Sequence, residues 1–121
     1  MHIHESSEDY LEAILRLRET KGQVRSVDIA QLLGVTKPSV SFAMKKLREN
    51  GYITMASDGL ITLTDKGMEI AVKIYERHKM LTDFFISIGV EPDIAQEDAC
   101  KIEHDLHAST FEALCRHAGI K

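Results

Sequence analysis

Residues 28–47 read DIAQLLGVTKPSVSFAMKKL, and this stretch decides the fold. Its apolar residues recur at helical spacing on both sides of Gly34, a residue type that commonly ends a helix. Thr36 is a favourable N-cap for the second helix, and Pro38 fits a first turn, where its missing N–H costs little. Two helices separated by so short a break predict a helix-turn-helix motif, whose second helix enters the major groove of DNA.

After this helix pair the sequence changes to the pattern of β-strands. The runs YITM at 52–55 and LITL at 60–63 flank the tripeptide SDG at 57–59. An Asp-Gly turn between two β-prone runs predicts a hairpin. A hairpin directly after the helix pair is typical of a winged helix-turn-helix domain.

Further helices are predicted on both sides of this motif. They run from Ser6 or Ser7 to about Thr20, from the N-cap Thr64 to the stop at Gly89, from Pro92 to about Leu106, and from a Ser109-x-x-Glu112 capping box to Gly119. Ile88 and Ile94 belong to the apolar stripes that we expect to be buried. The predicted class is mainly α with a small β-hairpin, with a winged-helix domain over residues 1–68 and a helical domain over residues 69–121.

The composition excludes several classes of protein. With 121 residues, 44% hydrophobic and 28% charged, the chain resembles a globular domain and not a disordered or fibrous segment. No apolar run approaches the roughly 20 residues of a transmembrane helix, and the polar start MHIHESSEDY does not resemble a secretory signal. Two cysteines are too few for a disulfide framework, so we expect a cytoplasmic protein with no membrane partner.

The net charge of −4 hides an uneven distribution of charge. The stretch from Lys37 to Arg48 holds four basic residues and no acidic one, whereas the stretch from Glu91 to Glu112 holds seven acidic residues against Lys101 alone. A basic block suits phosphates and an acidic block suits cations. The alternative for both blocks is an ordinary solvated helix face.

The basic block lies on the predicted recognition helix. Nine residues in and around it are predicted to contact DNA: Arg25, Thr36, Lys37, Pro38, Ser39, Ser41, Phe42, Lys45 and Lys46. Hydroxyl and backbone N–H groups at a helix N-terminus suit phosphate oxygens, and side chains of the exposed face suit base edges. Phe42 has two interpretations, contact with thymine methyl groups or packing onto the hairpin or the first helix.

Thiol, imidazole and carboxylate side chains recur on three of the predicted helices. By helix they are Asp9 and Glu12; His78; and Cys100, Glu103 and His104. Residues three or four positions apart share a helix face, so each group points in one direction. The mixed oxygen, nitrogen and sulfur donors predict a site for a first-row divalent cation rather than for calcium or magnesium.

Each of these residues also has a structural alternative. These are a Ser6-x-x-Asp9 capping box, a pair between Glu12 and Arg16, a buried core histidine for His78 and a small buried hydrophobe for Cys100. For any one of these residues taken alone, the structural alternative is the better explanation. Six ligand-type residues on three helix faces together favour the metal site.

Five segments carry a resemblance to a known family. They are SSEDYLEAI, DIAQLLGVTKPSVSFAMKKL, GLITLTDKG, ERHKML and DACKIEHDL. Together they resemble the diphtheria toxin repressor family of metal-dependent, homodimeric transcriptional repressors. The chain is more similar to its short manganese transport regulator branch, since it ends near Lys121 without room for the SH3-like domain of the long members.

The resemblance implies a function and a ligand set. The ligand positions of the short branch fall on Asp9, Glu12, His78, Cys100, Glu103 and His104. Cys100 stands where that branch has a glutamate, and Asp9 stands where the iron-responsive branch has a methionine, so the site is a hybrid. The implied corepressor is Mn(II) or Fe(II), with one or two ions per subunit, and Zn(II) or Co(II) are expected to bind in vitro.

The resemblance also implies how the switch operates and with which partners. The metal links the DNA-binding domain to a metal-binding and dimerisation domain in residues 69–121. A homodimer then fits double-stranded operator DNA with an inverted repeat, and the expected targets are metal-uptake genes.

Two functions from other classes compete with this one. A metal-independent regulator of the same fold would switch by oxidation of Cys100 or Cys115. A zinc-dependent hydrolase is suggested by Cys100-x-x-Glu103-His104, which is similar to the H-x-x-E-H of inverted zinc peptidases. Such enzymes need a large cleft and a further distant ligand, so we expect no enzymatic activity.

Overall fold

The computed structural model describes residues 5–118. Its helices are α1 (Glu5–Lys21), α2 (Ser26–Leu33), α3 (Lys37–Glu49), α4 (Asp65–Ser87), α5 (Pro92–Ile102) and α6 (Ala108–His117), and its strands are β1 (Ile53–Met55) and β2 (Ile61–Leu63). The chain forms two compact units, Met1–Val72 and Lys73–Lys121, which divide within α4. The predicted mainly helical class with a small hairpin is confirmed, and the predicted boundary after residue 68 lies in the same helix.

The N-terminal unit is built on the predicted helix pair. Gly34 follows α2 with a φ of 68°, and its N–H donates to the carbonyl of Ala30. This left-handed conformation favours glycine and turns the chain sharply into α3. The Thr36 hydroxyl caps α3 by accepting from the Ser39 N–H at 3.3 Å. Because both ends are capped, the break between the helices stays at three residues.

The core of this unit is apolar and comes from each of its first three helices. Its fully buried members include Leu11, Ile14, Ile29, Val40 and Met44. Val40 and Met44 are one turn apart on α3, so the opposite face of that helix is left toward solvent. The core therefore fixes which side of α3 a partner can reach.

The hairpin is anchored to the helices by hydrogen bonds at both ends. β1 and β2 pair antiparallel, with Thr54 opposite Thr62, and the Ile61 N–H donates to the Val24 carbonyl at 2.8 Å. Thr64 donates to the Gly51 carbonyl at 2.7 Å and accepts from the Gly67 N–H at 3.2 Å, so it caps α4 as predicted. A Cβ at Gly67 would overlap the Tyr52 carbonyl, which leaves only glycine at that contact.

The C-terminal unit has a smaller core. Met80, Leu81 and Ala99 are buried there, and the partly buried residues packed against them are Phe84, Phe85, Ile102, Leu106, Phe111, Leu114 and Cys115. The predicted burial of Ile88 and Ile94 is wrong, because these side chains are 64% and 49% exposed. Ile88 lies beyond the end of α4, and α5 packs through the small residues Ala95 and Ala99 instead.

Two predicted helix ends are also wrong. α5 ends at Ile102, and residues 103–105 form a turn in which the Asp105 N–H donates to the Ile102 carbonyl. α6 begins at Ala108 with His107 as its N-cap, so Ser109 lies inside the helix and forms no capping box. α1 spans Glu5–Lys21, close to the predicted helix from Ser6 or Ser7 to about Thr20. The predicted stop at Gly119 lies outside the described residues.

The residues that the structure describes include no helix both long enough and apolar enough to cross a membrane.

The start of α2 is held by the side chain of Asp28. One of its oxygens accepts from the Arg25 N–H at 2.9 Å, and the other from the Lys21 ammonium at 3.1 Å. The backbone N–H of Arg25 first, and Lys21 second, hold the pKa of Asp28 below its usual value of 3.8. The carboxylate therefore joins the end of α1 to the start of α2.

We expect Asp28→Asn to lower the free energy of unfolding by about 1 kcal/mol near neutral pH, because the variant weakens this cap. The folded pKa is lowered, so the stabilisation is present above the unfolded pKa and is lost as pH falls through the folded pKa. Urea unfolding of both proteins between pH 7 and pH 3 measures it. The exposed Asp83→Asn variant on α4 is the control, and a difference that does not shrink in acid would contradict the assignment.

Candidate functional site

A fully buried carboxylate lies at the centre of the C-terminal unit. Glu103 is 0% exposed and follows the last residue of α5, where its N–H donates to the Ala99 carbonyl at 3.0 Å. Its Oε2 lies 2.9 Å from Nδ1 of His78, and its Oε1, which lies 3.4 Å from Nε2 of His104, has no hydrogen-bond partner within residues 5–118. A buried carboxylate is costly unless it is paired or binds a cation, so the oxygen without a hydrogen bond is the one that a cation would satisfy.

Cys100 completes a cluster of three kinds of donor. Single donor atoms of His78, Cys100 and Glu103 all lie within 4.8 Å of one another. Two ligands of one zinc-sized cation at 2.0–2.3 Å are at most about 4.6 Å apart, so a small adjustment would bring these three onto one ion. One carboxylate oxygen that is buried without a hydrogen bond, beside an imidazole and a thiol, fits a first-row divalent cation.

The elements explain why these residues meet. Cys100 and Glu103 are one turn apart, the first on α5 and the second directly after it, while His78 comes from α4. His104 follows in the turn with a side chain only 2% exposed. The helical spacing of these residues predicted the grouping but placed all three C-terminal ligands inside a continuous helix. The helix ends before Glu103, and the turn brings His104 to the second oxygen of that carboxylate.

The remaining predicted ligands belong to α1. Asp9 is half-buried and Glu12 is 3% exposed, one helical turn apart. A buried acidic side chain on a helix that is otherwise packed through leucine and isoleucine is unusual. The proposed capping box of Ser6 and Asp9 is wrong, because Ser6 is already helical. The role of Asp9 and Glu12 as ligands stays a prediction.

Arg77 is a buried residue near the site that was not among those predicted from the sequence. Its side chain is 5% exposed, and Nη1 donates to the carbonyls of Glu103 and Leu106, each at 3.0 Å. The only signal in the sequence is its position beside His78. Contact with the turn after α5 depends on tertiary packing, so spacing alone did not reveal it.

The predicted DNA-contacting face of α3 is open to solvent. Thr36, Lys37, Pro38, Ser39, Ser41, Phe42, Lys45 and Lys46 are all exposed. Phe42 is 64% exposed, so its alternative of packing onto the hairpin or the first helix is wrong. The Lys46 ammonium lies 5.5 Å from the centre of its ring, which places an apolar surface and a positive charge side by side.

Arg25 contacts the tip of the hairpin. Its Nη2 lies 3.5 Å from Oδ2 of Asp58, and its Nε lies 3.5 Å from the Asp58 carbonyl oxygen. Exposed ion pairs of this kind contribute about 0–1 kcal/mol, so a phosphate would compete for the guanidinium at low cost. Contact between Arg25 and DNA therefore stays a prediction.

Comparison with known proteins decides the family. Residues 2–60 match the model described as iron dependent repressor, N-terminal DNA binding domain. Residues 64–119 match the model described as iron dependent repressor, metal binding and dimerisation domain. The chain belongs to the iron dependent repressor family. The predicted resemblance to metal-dependent repressors is thereby confirmed.

Two relatives illustrate the family. The transcriptional regulator MntR of Salmonella typhimurium is 37% identical over 112 residues, which cover 93% of this chain and 71% of the relative. A helix-turn-helix-type transcriptional regulator of Methanocaldococcus jannaschii is 38% identical and covers 91% of this chain and 90% of the relative. These relatives are regulators, and neither supports the predicted alternatives of a thiol sensor or a hydrolase.

Solved structures of the family have the same fold. The manganese regulator SloR superposes with a TM-score of 0.84 at 27% identity, over 95% of this chain. A manganese-dependent transcriptional repressor in complex with manganese gives 0.87 at 26%, also over 95% of this chain. This chain spans 54% and 53% of those two chains, about half their length.

A cobalt spectrum tests whether Cys100 is a ligand. A thiolate bound to Co(II) gives a sulfur-to-metal absorption band, so we expect the chain to show this band under anaerobic conditions. Cys100→Ser removes the sulfur and should abolish the band. Cys115→Ser is the matched control, because Cys115 packs in the apolar cluster, and it should keep the band. A band that survives Cys100→Ser would exclude Cys100 from the site.

Proposed function

We propose that this chain is a metal-dependent DNA-binding repressor with Mn(II) or Fe(II) as its corepressor. The observation that carries the proposal is the buried Glu103 carboxylate, with the donors of His78 and Cys100 beside it. The exposed polar and basic face of α3, in the unit that matches a DNA-binding domain, supports the DNA-binding part of the proposal.

The proposed ligands are the six residues predicted from the sequence. His78, Cys100, Glu103 and His104 come from the C-terminal unit, and Asp9 and Glu12 come from α1. The bound cation would supply the positive charge that offsets these carboxylates. A ligand set shared by both units would let the metal couple DNA binding to dimerisation.

The chemistry of the donor atoms supports two candidate metals. Manganese-dependent repressors are among the solved relatives, and the carboxylates and imidazoles of this chain suit manganese. The thiolate of Cys100 is a softer ligand and favours Fe(II), with Co(II) or Zn(II) as substitutes in vitro. We therefore propose Mn(II) or Fe(II), at one or two ions per subunit.

The proposed DNA target is an operator with an inverted repeat. A homodimer presents two copies of α3 related by a two-fold axis, and half-sites then lie about 34 Å apart or at a multiple of that distance. The N-terminal turn of α3 and its lysines would contact phosphates, while Ser41 and Phe42 would reach base edges. The expected targets are metal-uptake genes.

The first test measures DNA affinity as a function of metal. Fluorescence anisotropy with an inverted-repeat operator is run anaerobically at fixed salt, with chelator, Mn(II), Fe(II) or Zn(II), because phosphate contacts make affinity depend steeply on salt. We expect a coupling of about 1–3 kcal/mol, which is roughly 5–150-fold in affinity. Glu103→Gln should remove the metal response, since it replaces a buried ligand charge with a neutral amide.

Glu97→Gln is the matched control for this variant. Glu97 lies on α5, the helix that ends just before Glu103, and its side chain is 68% exposed and 3.9 Å from Lys101, so its loss should leave the response intact. Affinity that ignores chelator and metals in the wild type would contradict the proposal. If the same protein then loses DNA binding on treatment with peroxide, the thiol-sensor function replaces it.

A second test concerns the specificity of Phe42. We expect its exposed ring to contact the 5-methyl group of a thymine, because an apolar surface on a recognition helix gains by covering that methyl. An operator is first selected with the metal-loaded wild type, and each thymine is then replaced by deoxyuridine. At one position per half-site the wild type should lose about threefold to tenfold in affinity, within the range of single base contacts.

Phe42→Ala should bind the thymine and deoxyuridine operators equally at that position. Lys45→Met serves as the comparison, because the loss of a charge should weaken binding to both operators by the same factor and lower the salt dependence. Equal sensitivity of the wild type and Phe42→Ala to deoxyuridine would exclude the methyl contact.

A further inference from the structure

Arg77 is a buried arginine that makes its hydrogen bonds to the backbone. It lies on α4 directly before His78 and is 5% exposed. Nη1 donates to the carbonyl oxygens of Glu103 and Leu106, at 3.0 Å each, and the guanidinium carbon lies 5.3 Å from the centre of the Phe111 ring. Its Nε is buried without a hydrogen bond among residues 5–118.

The two acceptors span the turn that carries two proposed ligands. Both carbonyls lie beyond Ile102, the last residue of α5. The Glu103 side chain belongs to the first acceptor residue, and His104 directly follows it. One guanidinium that binds both carbonyls fixes the distance across the turn. Planar guanidinium groups are suited to such fixed geometry, because their donors form a rigid fork.

Two consecutive residues of α4 therefore act on the same turn. His78 contacts the Glu103 side chain through Nδ1 at 2.9 Å, while Arg77 binds the Glu103 main chain. Arg77 thus holds the main chain of Glu103, and the imidazole of His78 holds its carboxylate. A carboxylate fixed in this way needs little rearrangement to bind a cation.

Burial of the Arg77 guanidinium has an energetic cost. Desolvation of a guanidinium costs several kcal/mol, and well-packed apolar residues often replace buried charges without loss. The unbonded Nε adds to this cost. A residue that carries such a cost beside a proposed metal ligand is better explained by the geometry it imposes on the turn.

We propose that Arg77 is a positioning residue of the metal site, which holds the Glu103–Leu106 turn in the ligand-presenting geometry before the cation binds. This inference rests on the proposed function, because it concerns the same site. Groups that orient metal ligands without touching the metal typically contribute 10–100-fold to metal affinity. Arg77 would act in this way through the main chain.

The test uses Co(II) as the probe and the full chain. Dissociation constants are measured by anaerobic absorption titration for the wild type, Arg77→Met and Arg77→Lys, and urea unfolding in chelator gives the stability of each metal-free protein. We expect Arg77→Met to bind cobalt 10–100-fold more weakly. Arg77→Lys keeps the charge and hydrogen-bond donors but not the fork, so it should recover part of the loss, to about threefold to tenfold below the wild type.

Two readouts separate positioning from a general loss of stability. Ile74→Val removes one buried methylene from the same helix and should lower stability by about 0.5–1.5 kcal/mol while leaving cobalt affinity unchanged. At saturating cobalt, Arg77→Met should also keep the sulfur-to-metal band of Cys100, since Cys100 lies on α5 ahead of the turn.

The possible results distinguish failure of the proposed function from failure of the role of Arg77. A wild type that binds no cobalt overturns both the proposed function and the role of Arg77. A wild type that binds cobalt, with Arg77→Met within twofold of it, overturns the role of Arg77 alone, and Arg77→Lys takes the place of Arg77→Met if the latter does not fold. An equal loss of affinity in Ile74→Val, or loss of the Cys100 band in Arg77→Met, also overturns it.

Discussion

The burial of the Glu103 carboxylate is the constraint on which the C-terminal unit depends. A fully buried carboxylate needs a partner, and the structure places His78, His104 and the thiol of Cys100 beside it. Glu103 keeps a helical backbone conformation as the C-cap of α5, so its side chain lies on the same face as Cys100, and His104 follows in the turn. The turn after α5 is thus part of the site and not only a connection.

The N-terminal unit follows a different principle, in which main-chain hydrogen bonds fix an exposed surface. Gly34 and Thr36 set the angle between α2 and α3, and Thr64 joins the hairpin to the start of α4. Because Val40 and Met44 face the core, Phe42 and Lys45 face outward. The two units therefore supply the proposed function with two different features, a donor cluster around the buried Glu103 and an open helix face on α3.

In the proposed switch, binding of a cation to the donor cluster would control how the exposed face of α3 binds DNA. A divalent cation would offset the carboxylates of the proposed ligand set, and its binding would be linked to DNA affinity by the same free energy in both directions. A thiolate in place of a carboxylate would change both the charge and the softness of the site. We therefore propose that metal preference depends on Cys100 together with Asp9.

The sequence by itself determined the order of the elements and the grouping of the donors. Helical spacing, the Asp-Gly turn and the caps at Thr36 and Thr64 are local signals, and local hydrogen bonds realise them directly. Only the tertiary structure decided where α5 ends, that Ile88 and Ile94 are exposed, and that Phe42 faces solvent. It also decided that Arg77 binds the turn beyond Glu103. These features depend on contacts between residues distant in the chain, and the spacing of neighbours carries no information about them.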